Sequence, residues 1–295
     1  MLPLGRHFCL PCDCQTVNTP LLTLNFTQII FLLTRWCLLL TVSATSISVV
    51  NAYADSSYPH NKAKLAIIID DVGYKLDEGS QAILMNEAIT ISIIPFSPYD
   101  ESLAQLAYDN DKEVMLHAPM TPIQKQRWER GLNSTMTRSE LSFAFTEMLS
   151  RVPHSIGVNN HGGSLFTQDR QRMTWLMNTL KKHNLYFIDS RTTADSTGVE
   201  VAIETGIPHA KRDLFLDNDL TEAAVRFQLD QLVTIATQRG SAIAIGHPHK
   251  VTLNTLEKYF PTFKQQNIEL VSASKLLNSN NHSIAIANVM ATVMQ

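Results

Sequence analysis

The chain has 295 residues, 17% of them charged, and a formal net charge of −3. No block of like charges occurs, which argues against a nucleic-acid partner. The length allows one large domain or two small ones, each with an adequate core.

The first 54 residues carry only Arg6, Asp13 and Arg35 as charges, among long apolar stretches. From Arg35 the segment RWCLLLTVSATSISVVNAYADSS has a basic flank, an apolar run and small residues at Ala52 and Ala54. That is the layout of a secretory signal peptide cleaved after Ala54. A retained membrane anchor is the competing reading, but Ser43, Thr45, Ser46, Ser48 and Asn51 dilute the run. Residues 1–34 precede the basic flank, as an over-long start would produce. All four cysteines, Cys9, Cys12, Cys14 and Cys37, fall in this leader. The CLPCDC cluster lacks the second ligand pair of a zinc site, and an exported domain of this size needs no disulfides.

From Leu65 onward short apolar runs alternate with amphipathic segments. The runs are LAIIID (65–70), ITISIIP (89–95), EVMLH (113–117), SIGVNN (155–160), LYFID (185–189), GIPHA (206–210), SAIAIGH (241–247) and NIELVS (267–272). They are rich in Ile and Val with little alternation, as in parallel strands covered on both faces. Thr137-Arg-Ser-Glu140 is a capping-box signature ahead of Leu141, Phe145, Met148 and Leu149. Thr167 or Gln168 opens a second helix carrying Met173, Leu176, Met177 and Leu180. Thr221 opens a third, which stops at Gly240. Strands alternating with helices predict an α/β fold with a parallel sheet or barrel. One domain spans about 62–277, and residues 278–295 form a peripheral tail.

In such folds ligands bind at the carboxyl ends of the strands. Asp70 and Asp71 end the first run, His117 the third, His161 follows the fourth, Asp189 ends the fifth and His247 the seventh. Each has a structural alternative. A strand-end Asp is often a helix cap or turn residue, and a lone His, such as His154 or His183, is more often structural than a ligand. Together, two carboxylates and two or three imidazoles form the donor set of a divalent transition metal such as zinc, with a position left for water. A neighbouring carboxylate can then take the water's proton.

These residues resemble the polysaccharide deacetylase superfamily, the NodB-homology domains, and in particular its divergent branch. IIIDDVGY, MLHAPM (115–120), VNNHGGS (158–164), LYFIDS (185–190) and AIAIGHPHK (242–250) look like that branch's segments, in order. The resemblance implies a distorted (β/α) barrel with about seven parallel strands. It makes Asp70 the catalytic base, Asp71 and His117 metal ligands, and His247 the general acid, with Asp189 orienting His247 and His249 a possible addition. The superfamily's His-x-x-x-His is broken here, because position 121 is Thr; His161 is expected to supply the missing ligand. The superfamily's base-positioning arginine has no aligned counterpart, leaving Arg191 and Arg212 as candidates.

The function implied is a metal-dependent hydrolase, with zinc as the expected metal, removing N-acetyl groups from an envelope or matrix polysaccharide. The alternative is an exported glycan-binding or envelope-assembly protein with the same fold and weak or absent turnover. A magnesium phosphatase is disfavoured, because Val72 stands where a D-x-D motif needs its second carboxylate and no glycine-rich phosphate loop follows. The expected location is periplasmic or secreted, with a polysaccharide substrate, no nucleic acid and no stable membrane insertion after cleavage.

Overall fold

The computed structural model describes residues 62–85, 87–124 and 130–278. The predicted leader (1–54) and all but the first residue of the predicted tail (278–295) lie outside the described residues. Among the described residues, no helix is long and apolar enough to cross a membrane.

Strands and helices alternate along the chain: β1 (Ala63–Val72), α1 (Leu76–Leu84), β2 (Thr90–Ile93), α2 (Asp100–Asp109), β3 (Glu113–Met120), α3 (Arg138–Arg151), β4 (Ser155–Gly162), α4 (Arg170–Lys182) and β5 (Tyr186–Asp189). They continue as α5 (Gly198–Thr205), β6 (His209–Lys211), β7 (Leu214–Phe215), α6 (Glu222–Arg239), β8 (Ser241–Gly246), α7 (Lys250–Gln265) and β9 (Ile268–Leu270). The strands form one sheet in the order β6-β5-β4-β3-β2-β1-β8-β7, with β9 also beside β1. Every ladder is parallel. The sheet curls into a NodB-type α/β barrel, as the sequence resemblance implies, with more strands than the seven expected because β7 and β9 are very short. No ladder joins β6 to β7 among the described residues. Asp213, in the connection between them, ties the chain to β8, its carboxylate accepting from the Ile243 amide at 2.9 Å.

Helix ends follow local chemistry. Thr137 and Glu140 form the predicted reciprocal cap of α3, Thr221 caps α6, and Gly240 ends it at φ 84°. The start of α4 differs from expectation: residues 166–168 make a 3₁₀ turn, and Asp169 is the cap, accepting from the Arg172 amide at 3.1 Å. A carboxylate offers a stronger acceptor to the free amides than Thr167 or Gln168.

Side chains on a strand alternate between two faces, and the core divides accordingly. Leu65, Ile67 and Ile69 pack outward against the helices, whereas Ala66 and Ile68 pack inside the barrel. Val114 and Leu116 face out and Met115 in; Phe187 faces out and Tyr186 and Ile188 in. The barrel floor is polar: Glu113 accepts from the Tyr186 hydroxyl at 2.6 Å and the Ser274 amide at 3.1 Å. Gly157 makes room for the Tyr186 ring, which a Cβ there would meet at 2.1 Å.

Near the mouth, buried Asp100 accepts from the Phe96 amide at 2.7 Å, the Glu101 amide at 2.8 Å, and Arg151 Nε and Nη2 at 3.0 and 2.7 Å. It ties the β2–α2 loop to α3. Arg151 can regain water when its partner is removed, so Asp100→Ala is expected to cost about 2 kcal/mol. In a domain of this size that lowers the melting temperature by roughly 4–8 °C, which thermal denaturation followed by circular dichroism measures.

Candidate metal and catalytic site

Strand parity builds the site. Counting in steps of two from the interior residues, Asp70 continues Ala66 and Ile68, His117 continues Met115, and His247 continues Ile243 and Ile245. Asn159 and His161 follow Gly157 on the inner face of β4, and Asp217 follows Phe215, which packs on the interior cluster. All five strands therefore bring polar groups to the carboxyl end of the barrel.

Asp71 should point outward by the same count. The β1–β2 register slips between Ile69 and Val72, and Asp71 takes φ 56°. A short polar side chain tolerates that left-handed conformation better than most, at a cost of order 1–3 kcal/mol. The bulge turns two adjacent carboxylates into one pocket. The next residue but one, Gly73, sits at φ 131°, where a Cβ would lie 2.0 Å from Ser97 Oγ.

Three donor atoms converge there. Asp71 Oδ1 lies 3.2 Å from His117 Nε2 and 2.8 Å from His161 Nδ1, and the two ring nitrogens are 3.1 Å apart. Donors at 2.0–2.1 Å from a tetrahedral zinc stand roughly 3.3 Å apart, so the triad already has the spacing of a ligand set. Asp71 Oδ1 is buried and forms no well-aligned hydrogen bond despite its two close nitrogen neighbours. A buried carboxylate oxygen with no hydrogen of its own to accept, set between two imidazoles, is the arrangement a cation completes. Burial opposes charge on Asp71, but the close His117 and His161 imidazoles outweigh it and hold its pKa well below the usual carboxylate range. Burial likewise works against a charged His117, while Asp70 and Asp71 raise its pKa.

Asp70 is 2% exposed. Its Oδ1 accepts from Asn159 Nδ2 at 2.8 Å, and its Oδ2 lies 3.5 Å from His117 Nε2. Across the mouth, His247 Nε2 lies 3.9 Å from Asp71 Oδ2. Burial would neutralise His247, but Asp217, with smaller help from Asp70 and Asp71, raises its pKa to about 9.

Asp217, which the sequence reading missed, is the carboxylate that orients His247. Its Oδ1 pairs with His247 Nδ1 at 2.9 Å, and its Oδ2 accepts from the His247 amide at 2.7 Å and from Thr252 Oγ1 at 2.8 Å. The expectation that Asp189 orients His247 is not met. On β5 the outward set is Phe187 and Asp189, so Asp189 faces the helix layer. There it accepts from Ser196 Oγ at 2.8 Å and the Arg191 amide at 2.8 Å, and a Cβ on Gly198 would touch its Oδ2 at 2.8 Å. Burial raises the Asp189 pKa.

His249 stands at the start of α7, its ring 6.0 Å from that of His247. With Asp217 and His247 it makes a second cluster of donor atoms within 4.8 Å. Three donors already fill the Asp217 carboxylate, which suits an anchor for His247 better than a ligand. Thr121 does not enter the pocket; its Oγ1 donates to the Leu132 carbonyl at 3.2 Å. Neither candidate arginine hydrogen-bonds to Asp70. Arg191 donates to the Ser196 and Ala194 carbonyls, and Arg212 to those of Ser190 and Arg191.

A curled parallel barrel with paired aspartates and histidines at its carboxyl end defines a polysaccharide-deacetylase-type α/β protein. The chain belongs to the divergent polysaccharide deacetylase family, whose model matches residues 67–277. It is 37% identical over 223 residues to an uncharacterized protein, YibQ, of Escherichia coli K12, covering 75% of this chain and 70% of that one. An uncharacterized protein of Haemophilus influenzae is 36% identical over 222 residues, covering 75% and 79% of the two chains. Among solved structures, the uncharacterized protein ATU2773 from Agrobacterium tumefaciens C58 matches at a TM-score of 0.71 and 21% identity, over 77% of this chain and 94% of that one. That likeness shows the fold.

Proposed function

We propose that this protein is a divalent-cation-dependent hydrolase that removes N-acetyl groups from an envelope or matrix polysaccharide. The observation that carries the reading is the convergence of Asp71 Oδ1, His117 Nε2 and His161 Nδ1 within 3.2 Å, with Asp70 and His247 on either side. Zinc suits a donor set of one carboxylate and two imidazoles. When bound, it supplies a Lewis acid for the acetamide carbonyl and lowers the pKa of water toward neutrality.

Every other step falls to the chain's own residues. Asp70, with Oδ1 held by Asn159, keeps Oδ2 to accept the proton of the attacking water. Addition to the acetamide carbon moves negative charge onto the carbonyl oxygen, and collapse of that adduct breaks the carbon–nitrogen bond. His247 delivers its Nε2 proton to the departing amine, while Asp217 keeps the imidazole charged and aimed. The products are acetate and a free amino sugar. His249, outside this constellation, has no step. The leader pattern ending at Ala54 supports export, and hence a substrate outside the cytoplasm.

Acetate release from N-acetylated amino-sugar oligomers tests the proposal. Release is expected with zinc and should vanish after chelation, returning on re-addition. No release with any divalent metal overturns the hydrolytic reading. Zinc and oligomer binding without release would assign the chain a glycan-binding role.

A further inference from the structure

The base and one metal ligand share a single buried partner, a residue of the VNNHGGS segment to which the sequence gives no role. Asn159 is fully buried on the inner face of β4, in register with His117 on β3. Its Nδ2 donates to Asp70 Oδ1 at 2.8 Å, and its Oδ1 accepts from Ser92 Oγ at 2.7 Å and faces His117 Nδ1 at 2.7 Å. Three strands therefore meet on one amide.

We propose that Asn159 is a positioning residue that fixes the orientation of Asp70 and the tautomer of His117 at once, taking the place beside the base where the family resemblance implies an arginine. The inference rests on the deacetylase reading for its chemical meaning. A carboxylate can only accept, so the amide must turn its NH2 toward Asp70. Ser92 Oγ and His117 Nδ1 are then left facing the amide oxygen, and each must bring a hydrogen. The ring proton therefore sits on Nδ1, and the Nε2 lone pair is free to face Asp71 Oδ1 and His161 Nδ1. A reversed amide would set two acceptors against each other at Asp70. It would also put NH2 against His117 Nδ1 and require the tautomer that cannot ligate through Nε2. The ionised base thus dictates, through one side chain, which nitrogen of His117 is available to a metal.

The same partner explains why Arg191 and Arg212 are free to brace backbone carbonyls. An amide also suits a pocket that is to hold a cation. It gives Asp70 a hydrogen bond without adding a positive charge a few ångströms from the ligand set.

The test uses full-length protein, metal-stripped and reloaded with zinc. Nitrogen NMR of labelled histidines, with His117 assigned by the signal lost in His117→Ala, should find a proton on His117 Nδ1 with and without zinc. Chelator competition should show Asn159→Leu, which keeps the volume and removes all three bonds, binding zinc about 10- to 100-fold more weakly than wild type. A metal-free ring protonated only on Nε2 overturns the inference. So does a folded Asn159→Leu protein that binds zinc within about twofold of wild type. If that variant fails to fold, the wild-type spectrum alone decides. A wild type that binds no zinc overturns the deacetylase reading instead, and the Nδ1 proton remains readable in the metal-free protein.

Discussion

Asp71→Ala is expected to strip zinc from the full-length protein on dialysis and to abolish zinc-dependent acetate release. Asp71 Oδ1 is the only oxygen in the triad and lies within 3.2 Å of both imidazole nitrogens. Loss of an outer partner of a ligand typically weakens metal binding about 10- to 100-fold, so loss of the ligand itself should exceed about 100-fold. His161→Ala is the more discriminating variant, because His161 breaks the superfamily's His-x-x-x-His spacing and enters from a different strand. Its Nδ1 is the nearer of the two imidazole nitrogens to Asp71 Oδ1, at 2.8 Å against 3.2 Å, whereas Thr121 is tied to the Leu132 carbonyl. Zinc bound per chain, measured after dialysis, should fall close to zero for both variants. Wild-type stoichiometry and affinity in His161→Ala would dismantle the triad, whatever happened to turnover.

Much of this site was legible because chemistry and topology coincide. Apolar runs ending in Asp or His mark the carboxyl ends of parallel strands, and the strand-end residues Asp70, Asp71, His117, His161 and His247 all meet there. What the residues did not disclose is tied to backbone detail. Asp71 faces inward only because β1 bulges and Asp71 adopts a positive φ, which no side-chain pattern encodes. Asp217 follows a strand of two residues, Leu214–Phe215, too short to register as an apolar run. Yet LFLD at 214–217 repeats in miniature the pattern of IIID at 67–70, apolar residues ending in Asp, and would have flagged it. Asp189 fails for a simpler reason. Period-two counting along LYFID puts it on the same face as Phe187, toward the helices, so parity could have excluded it. Asn159 lies inside SIGVNN (155–160) and VNNHGGS (158–164) yet stands out in neither, because an amide carries no charge to draw attention. The start of α4 shows the ordinary limit on locating helix ends, with Asp169 displacing Thr167 and Gln168 as the cap.

The two rival carboxylates give the sharpest contrast in turnover. In Asp217→Asn the amide must still satisfy the His247 backbone N–H, which turns its NH2 toward His247 Nδ1. The imidazole then loses both its anionic partner and the hydrogen on Nδ1, and a neutral ring donates a proton to the departing amine far less readily. General acid catalysis contributes typically 10²- to 10⁴-fold, so kcat should fall by about 100-fold or more. Zinc affinity and KM should stay near wild type, because Asp217 makes no contact with the Asp71–His117–His161 triad. Asp189→Asn should behave in the opposite way. Its partners are Ser196, the Arg191 amide and the close-packed Gly198, so melting temperature should drop while kcat per folded molecule holds. Steady-state kinetics beside thermal melts for the two variants decide the matter. Equal kcat in Asp217→Asn and wild type would remove His247 from proton delivery, and a kcat loss confined to Asp189→Asn would restore the role that the sequence first gave it.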